Sequence, residues 1–195
     1  MNLKELITNG WQMLESMPDD PEGTIAMGKM TSMAQCFVKI FPIRASESML
    51  NDGKASVIKG IHQSLANNQA LIEVEDGCNS EGSKYLYSII KTKINPSGVQ
   101  YFLRAHIETK VQGIVSEVNG FFEENGQTGI RDSVVYELAV KKGIITPGET
   151  NQWMKDPYDA SLTRPYMMNM SESKEFDQFF PEHPLTIARK TINNI

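Results

Sequence analysis

The chain has 195 residues and a mass of 21.9 kDa, with 40% apolar residues and a net charge of -5 from 19 basic and 24 acidic side chains. A chain of this length buries a sizeable core without a metal or disulfide staple, and its acidic balance, with no block of five Lys or Arg, argues against a nucleic-acid surface or a polybasic membrane-docking surface. No run approaches the roughly 20 apolar residues that span a bilayer. The opening Met-Asn-Leu-Lys-Glu lacks the apolar block of a signal peptide, so a cytoplasmic location without membrane insertion is expected.

Leu3, Leu6, Ile7, Trp11 and Leu14 recur at helical spacing and predict an N-terminal helix over residues 1–16, which the Pro-rich stretch Met17 to Gly23 ends. An α+β core is then expected over 25–145. From Met33 to Ile43 the residues favour strand, with Cys36, Val38 and Ile40 on one face and Phe37, Lys39 and Phe41 on the other. Asn51-Asp52-Gly53 offers a cap for a helix from Lys54 to Asn67 that buries Val57, Ile58, Ile61 and Leu65. A short strand from Ala70 to Glu75 follows.

Lys84 to Ile94 reads as a strand partly covered on both faces. Asn95-Pro96-Ser97-Gly98 fits a type I turn into a strand where Val99, Tyr101, Leu103, Ala105 and Ile107 alternate strictly. A further strand from Val111 to Phe122 is expected after a tight connection at Thr109-Lys110, with Gly113 and Gly120 marking a bulge or bend. Thr128 is placed to cap a helix from Ile130 to Lys142, which Lys141, Lys142 and Gly143 close in the manner of a helix C-terminus. The sum is an α+β domain with a mostly antiparallel sheet of about five strands and helices packed on it.

Residues 146–195 differ in kind. Their prolines are too closely spaced for long elements, and their aromatic residues carry too much apolar surface for a disordered tail. This extension is expected to wrap the core as part of a single domain and to end in a short helix from Pro184 to Ile192, with Leu185, Ile187 and Ala188 turned inward.

The chemistry-bearing residues are few. Cys36 and Cys78 lack C-x-x-C spacing and read as free thiols, and His62, His106 and His183 lie in no metal-ligand pattern, so neither a metal nor a cofactor is implied. Asp156 and Asp159, like Asp76, Asn79 and Glu81, fit turn roles better than a calcium loop. Nucleophile elbow, P-loop and dinucleotide fingerprint are all missing. Period two puts Gln100, Phe102, Arg104, His106 and Glu108 on the strand face opposite the apolar set. With Lys39 from the strand Met33 to Ile43, the residues Phe102, Arg104, His106 and Glu108 form a candidate ligand or partner face: Arg supplies a fixed fork for carboxylate or phosphate, and His titrates near neutrality. A solvent-facing sheet surface with cross-strand charge pairs explains the same pattern more simply.

The order of the strand Met33 to Ile43, the helix Lys54 to Asn67, four further strands and the helix Ile130 to Lys142 resembles the PsbP-like fold group, which includes DcrB-type proteins and chaperones of bacterial secreted effectors. The resemblance is topological and covers residues 25–145. It implies a non-enzymatic accessory or adaptor module, and the first expectation is a protein-binding module of adaptor, chaperone or immunity type with a protein partner. The alternative is a hydrolase or small-ligand protein that uses Arg104 and His106 with acids from the loops at 76–81 or 156–159.

Overall fold

The computed structural model describes residues 3–94 and 98–193. Its strands are β1 (Gln12–Leu14), β2 (Ile25–Met30), β3 (Ala34–Arg44), β4 (Gln69–Cys78), β5 (Lys84–Ile94), β6 (Gly98–Glu108) and β7 (Ile114–Glu124). They form one sheet in the order β1-β2-β3-β7-β6-β5-β4, with every neighbouring pair antiparallel. The helices are α1 (Leu3–Thr8), α2 (Lys54–Ser64), α3 (Ile130–Lys141), α4 (Thr150–Trp153) and α5 (Pro184–Asn193).

The α+β class and the antiparallel sheet stand as expected, but the sheet has seven strands rather than about five. The two additions are the strands that carry no period-two signal. β1 is three exposed residues long, and β2 (IAMGKM) puts the small Ala26 and Gly28 on one face. The helix expected over residues 1–16 is correspondingly cut short. It stops at Thr8, Gly10 takes the left-handed φ of 85°, and the Trp11 N–H closes back on the Leu6 carbonyl at 3.2 Å. Trp11 and Leu6 still reach the core, but Leu14 leaves the helix stripe and joins β1.

One sheet face is covered by α5, α1 and Trp11. Cys36 and Val38 of β3, Tyr101 and Leu103 of β6, and Val118 and Phe122 of β7 pack there against Leu185, Ile187, Ala188 and Ile192. The apolar set of β6 and the inward residues expected for α5 are therefore the observed ones, and of the two faces expected for β3 the one with Cys36, Val38 and Ile40 is buried here. The opposite face is covered over β4 and β5, where α2 and the 3-10 turn Met49–Asn51 bury Leu71, Val74 and Leu86 with Val57, Ile61 and Tyr158. β5 is thus covered on both sides, as its composition implies.

In β4, Leu71 pairs with Ile90 but Glu73 pairs with Ile89, so Ile72 is an extra residue in a β-bulge. The bulge turns Ile72 toward the α5 side while Leu71 and Val74 face α2. Neither Gly113 nor Gly120 forms the expected bulge. Gly113 sits at φ 79° in the connection before β7, whereas Gly120 leaves room for the ring of Phe122, since a Cβ there would lie 2.5 Å from Phe122 Cε2. The residue before α2 is Gly53, within the expected stretch Asn51-Asp52-Gly53, whereas Gly129 rather than Thr128 precedes α3, and neither glycine makes a side-chain cap bond. Gly143, at φ 69°, closes α3 as expected, with the Ile144 N–H on the Ala139 carbonyl at 2.9 Å. The turn expected at 95–98 falls mostly outside the described residues.

The C-terminal stretch is fastened by a buried polar network. Arg131 of α3, fully buried, donates to the Ser171 and Ser173 carbonyls, to Thr186 Oγ1 and to Asp177. Arg189 of α5 bonds Glu73 and Asp177. Lys91 of β5 meets Glu172 at 2.8 Å, and Glu172 also accepts from the Tyr101 hydroxyl at 3.0 Å and the Asn169 N–H at 2.7 Å. Earlier in the same stretch, the Tyr158 hydroxyl accepts from the Val74 N–H and donates to the Val74 carbonyl, which satisfies outward-facing backbone groups on the edge strand β4.

Candidate functional site

The second sheet face is covered over only part of its width. Cross-strand registers place Phe37, Phe121 and Phe102 side by side on β3, β7 and β6, and Lys39, Asn119 and Arg104 in the adjacent row. The next row is Phe41, Glu117 and His106. These rows follow from period two: every second residue of three neighbouring strands points the same way. Phe102 and Phe121 pack with ring centroids 5.0 Å apart, and Lys39 Nζ lies 5.6 Å from the Phe37 ring centroid. Phe121 remains 39% exposed, Leu14 44% and Met30 68%. Beside Phe37, a groove of about 350 Å³ is lined by Gln12, Leu14, Gly28, Met30 and Gln35.

The charges of this face are paired. Lys39 bonds Asp20, and Arg104 bonds Glu117 through Nε at 3.0 Å and its terminal nitrogen at 3.4 Å. In both pairs the acid is the less exposed partner: side-chain exposure is 27% for Lys39 against 8% for Asp20, and 47% for Arg104 against 10% for Glu117. Glu123, at the other side of the aromatic row, is hydrogen-bonded to Gln100.

His106 shares the face with Phe102 and Arg104, as its parity requires, but it is not presented to solvent. It is fully buried beneath the segment Ala45 to Asn51. The Met49 N–H donates to Nδ1 at 2.9 Å and Ser48 Oγ lies 3.1 Å from the same nitrogen. Because Nδ1 accepts, the neutral ring carries its proton on Nε2, which faces Glu117 Oε2 at 3.3 Å. Ser48, His106 and Glu117 line up as a nucleophile, base and acid would. Yet Ser48 is 4% exposed, its Oγ accepts the Leu50 N–H at 3.2 Å, and the base nitrogen is already occupied by a backbone donor. The row seals the border between the covered and open parts of the face.

Burial holds the His106 imidazole below its ordinary pKa; Glu117 pulls the other way and Arg104 adds to the lowering. A depressed folded-state value means that the unfolded chain binds a proton that the folded chain refuses. The stability due to neutral His106 is therefore complete above the unfolded value of about 6.5 and declines as pH falls below it. Urea midpoints of the wild type are expected to drop between pH 7 and pH 5. His106→Gln is expected to be less stable at pH 7 and to show a shallower drop; an unchanged slope would remove His106 as its source.

The remaining candidates do not converge on this face. Glu108 stands at the exposed end of β6, where its carboxylate accepts the Lys84 N–H at 3.2 Å. His62 meets Asp156 at 3.0 Å, while Asp156 Oδ1 accepts the Tyr158 and Asp159 N–H groups. Asn79 Oδ1 likewise accepts the Glu81 and Ser83 N–H groups, so both polar loops use their side chains on local turns. His183 packs edge-on to Tyr101. Among the described residues no group of three His, Cys, Asp or Glu is arranged to hold a metal. Both cysteines are free thiols; burial pushes the Cys36 thiol up to about 12, while Cys78 is exposed. What sequence reasoning missed is Phe121, whose alternation is interrupted by Gly120, and the contribution of Leu14 and Met30 from strands that were not foreseen.

No family model matches the chain, and no curated protein matches it. Among solved structures, the chain is similar to PA94 from Pseudomonas aeruginosa, a protein of unknown function, at 9% identity and a TM-score of 0.39, covering 71% of this chain and 99% of that one. It is also similar to cyanobacterial PsbP (CyanoP) from Synechocystis sp. PCC 6803, at 14% identity and a TM-score of 0.37, covering 69% of this chain and 80% of that one. The chain therefore has a weak PsbP-like resemblance, at a level that assigns neither a family nor a function.

Proposed function

We propose that the chain is a non-enzymatic accessory module that binds a protein partner on the open part of its sheet. The observation that carries this reading is the aromatic row Phe37, Phe121 and Phe102. Among the described residues no helix covers it, in a sheet whose other face is covered by α5 and whose β4–β5 end is covered by α2. An apolar sheet face rimmed by polar groups is a recognition surface by its physical character. A cytoplasmic location and the absence of nucleic-acid partners belong to the same proposal. No described helix is long and apolar enough to cross a membrane.

The hydrolase alternative draws less support, because both ring nitrogens of His106 face protein groups and Arg104 is already bonded to Glu117. The test is affinity capture from the organism's own lysate with wild-type protein and with Phe121→Ser and Phe102→Ser. One stoichiometric protein retained by the wild type and reduced about tenfold or more by either variant is the expected result. Each variant is expected to keep wild-type stability within about 1 kcal/mol, since its ring is partly exposed already. Capture that is equal for all three proteins, or absent for the wild type, would count against the face.

A further inference from the structure

We infer that the segment this face accepts is an amphipathic helix whose apolar stripe is flanked by acidic residues. The inference rests on the protein-binding reading above and adds the chemistry of the partner.

The geometry comes first. The three rings sit on successive strands, and strands are spaced at about 4.8 Å, close to the helical pitch of about 5.4 Å. A helix laid across β3, β7 and β6 therefore brings one apolar residue per turn over each ring, in the i, i+3, i+7 pattern of an amphipathic helix in a groove. Beside Phe37, Leu14 and Met30 extend the apolar surface across β1 and β2, and the groove there has room for one further large side chain.

The charges choose among amphipathic helices. On one long side of the ring row stand Lys39 and Arg104, separated by the neutral Asn119. Their acidic partners Asp20 and Glu117 are the less exposed members of each pair, so the groups a docking helix meets first are the ammonium and the guanidinium. Arg104 uses only some of its five N–H donors on Glu117 and, at 47% side-chain exposure, offers the rest outward. On the other long side Gln35 and the bonded Gln100–Glu123 pair are neutral or acidic, so the cationic edge is one-sided. A helix with Glu or Asp along one border of its apolar stripe fits this asymmetry in a single orientation. The whole chain carries a net charge of -5, so an acidic segment is repelled by the rest of the surface and accepted here, which favours this site over others. Single-stranded nucleic acid also uses aromatic and cationic sheet faces, but Lys39 and Arg104 make a cationic edge two residues long, where a phosphate chain is followed by a continuous basic groove.

The experiment is a display selection from random peptides of about 16 residues, long enough to form a helix on the surface. The full wild-type chain is the bait, and a Phe102→Ser/Phe121→Ser chain serves as counter-selection. The expected result is a set of peptides with apolar residues at helical spacing and an excess of Asp and Glu, bound about tenfold or more tightly by wild type than by the Ser variant. With Lys39→Gln/Arg104→Gln as bait, the apolar spacing is expected to persist while the acidic excess disappears. Far-UV circular dichroism and thermal midpoints check that each bait is folded. Selected peptides that need the rings but are neutral or basic overturn the acidic inference and leave the protein-binding reading in place. Peptides that are indifferent to the Ser substitutions, or no selected peptides at all, overturn both. A fluorescein-labelled oligouridylate that binds wild type and not the Ser variant would replace the helix with nucleic acid.

Discussion

Glu172→Gln is expected to lower the free energy of unfolding by about 3–5 kcal/mol, the largest single effect foreseen for a charged residue of this chain. Lys91 and Glu172 are almost fully buried and 2.8 Å apart, and Lys91 Nζ also lies 4.4 Å from the centre of the Tyr166 ring. Removing the carboxylate leaves the ammonium with an amide and a ring face in a region that water does not reach. That region offers no cheap route to solvation, so the cost is that of an unpaired buried charge rather than of one lost contact. Lys91→Met is expected to destabilise comparably, by stranding the carboxylate between the Tyr101 hydroxyl and the Asn169 N–H. The double variant Lys91→Met/Glu172→Gln should cost less than the sum of the two, with a coupling of about 1–3 kcal/mol. Urea denaturation of the four proteins measures this; additive losses would mean that the pair is not the unit holding the C-terminal stretch to β5.

Phe122→Ala is expected to cost about 3–5 kcal/mol through the cavity it leaves. The ring is fully buried and meets Trp11 edge to face with centroids 6.3 Å apart. It folds back over Gly120, where a Cβ would also come within 3.3 Å of Val38 Cγ2. Gly120→Ala alone is accordingly expected to cost about 1–3 kcal/mol by overpacking. In a Phe122→Leu background, where the ring no longer covers the glycine, the same substitution should cost distinctly less. Equal penalties in both backgrounds would show that the glycine serves backbone freedom rather than the ring.

Long alternating strands were legible because a half-buried strand must repeat every two residues. β3 and β6 each show it over most of their length, and the inward residues Cys36, Val38, Tyr101 and Leu103 follow directly. β1 was not legible, because three exposed residues at a sheet edge have no apolar partner to alternate with. The bulge at Ile72 was hidden for a related reason: in a run of five buried residues, an inserted residue leaves no mark on composition. Of the candidate face, Lys39, Phe102 and Arg104 were legible from parity alone. The burial of His106 was not, since it depends on where Ser48 and Met49 return across the sheet, and that path is set by packing between distant segments.

The strand order has a consequence for how the chain reaches its native state. β4 to β7 are consecutive neighbours, so each of their pairings needs only a short excursion of chain. β3 is different, because it pairs with β7 across the whole length of the meander, with Ala34 opposite Glu124 and Arg44 opposite Ile114. Joining those two strands closes a large loop, an entropic cost that the local pairings do not carry. The seam between β3 and β7 thus divides the sheet into a part assembled from local encounters and a part recruited across distance. The aromatic row crosses that seam, so the open face is complete only where the long-range pairing of β3 with β7 is made.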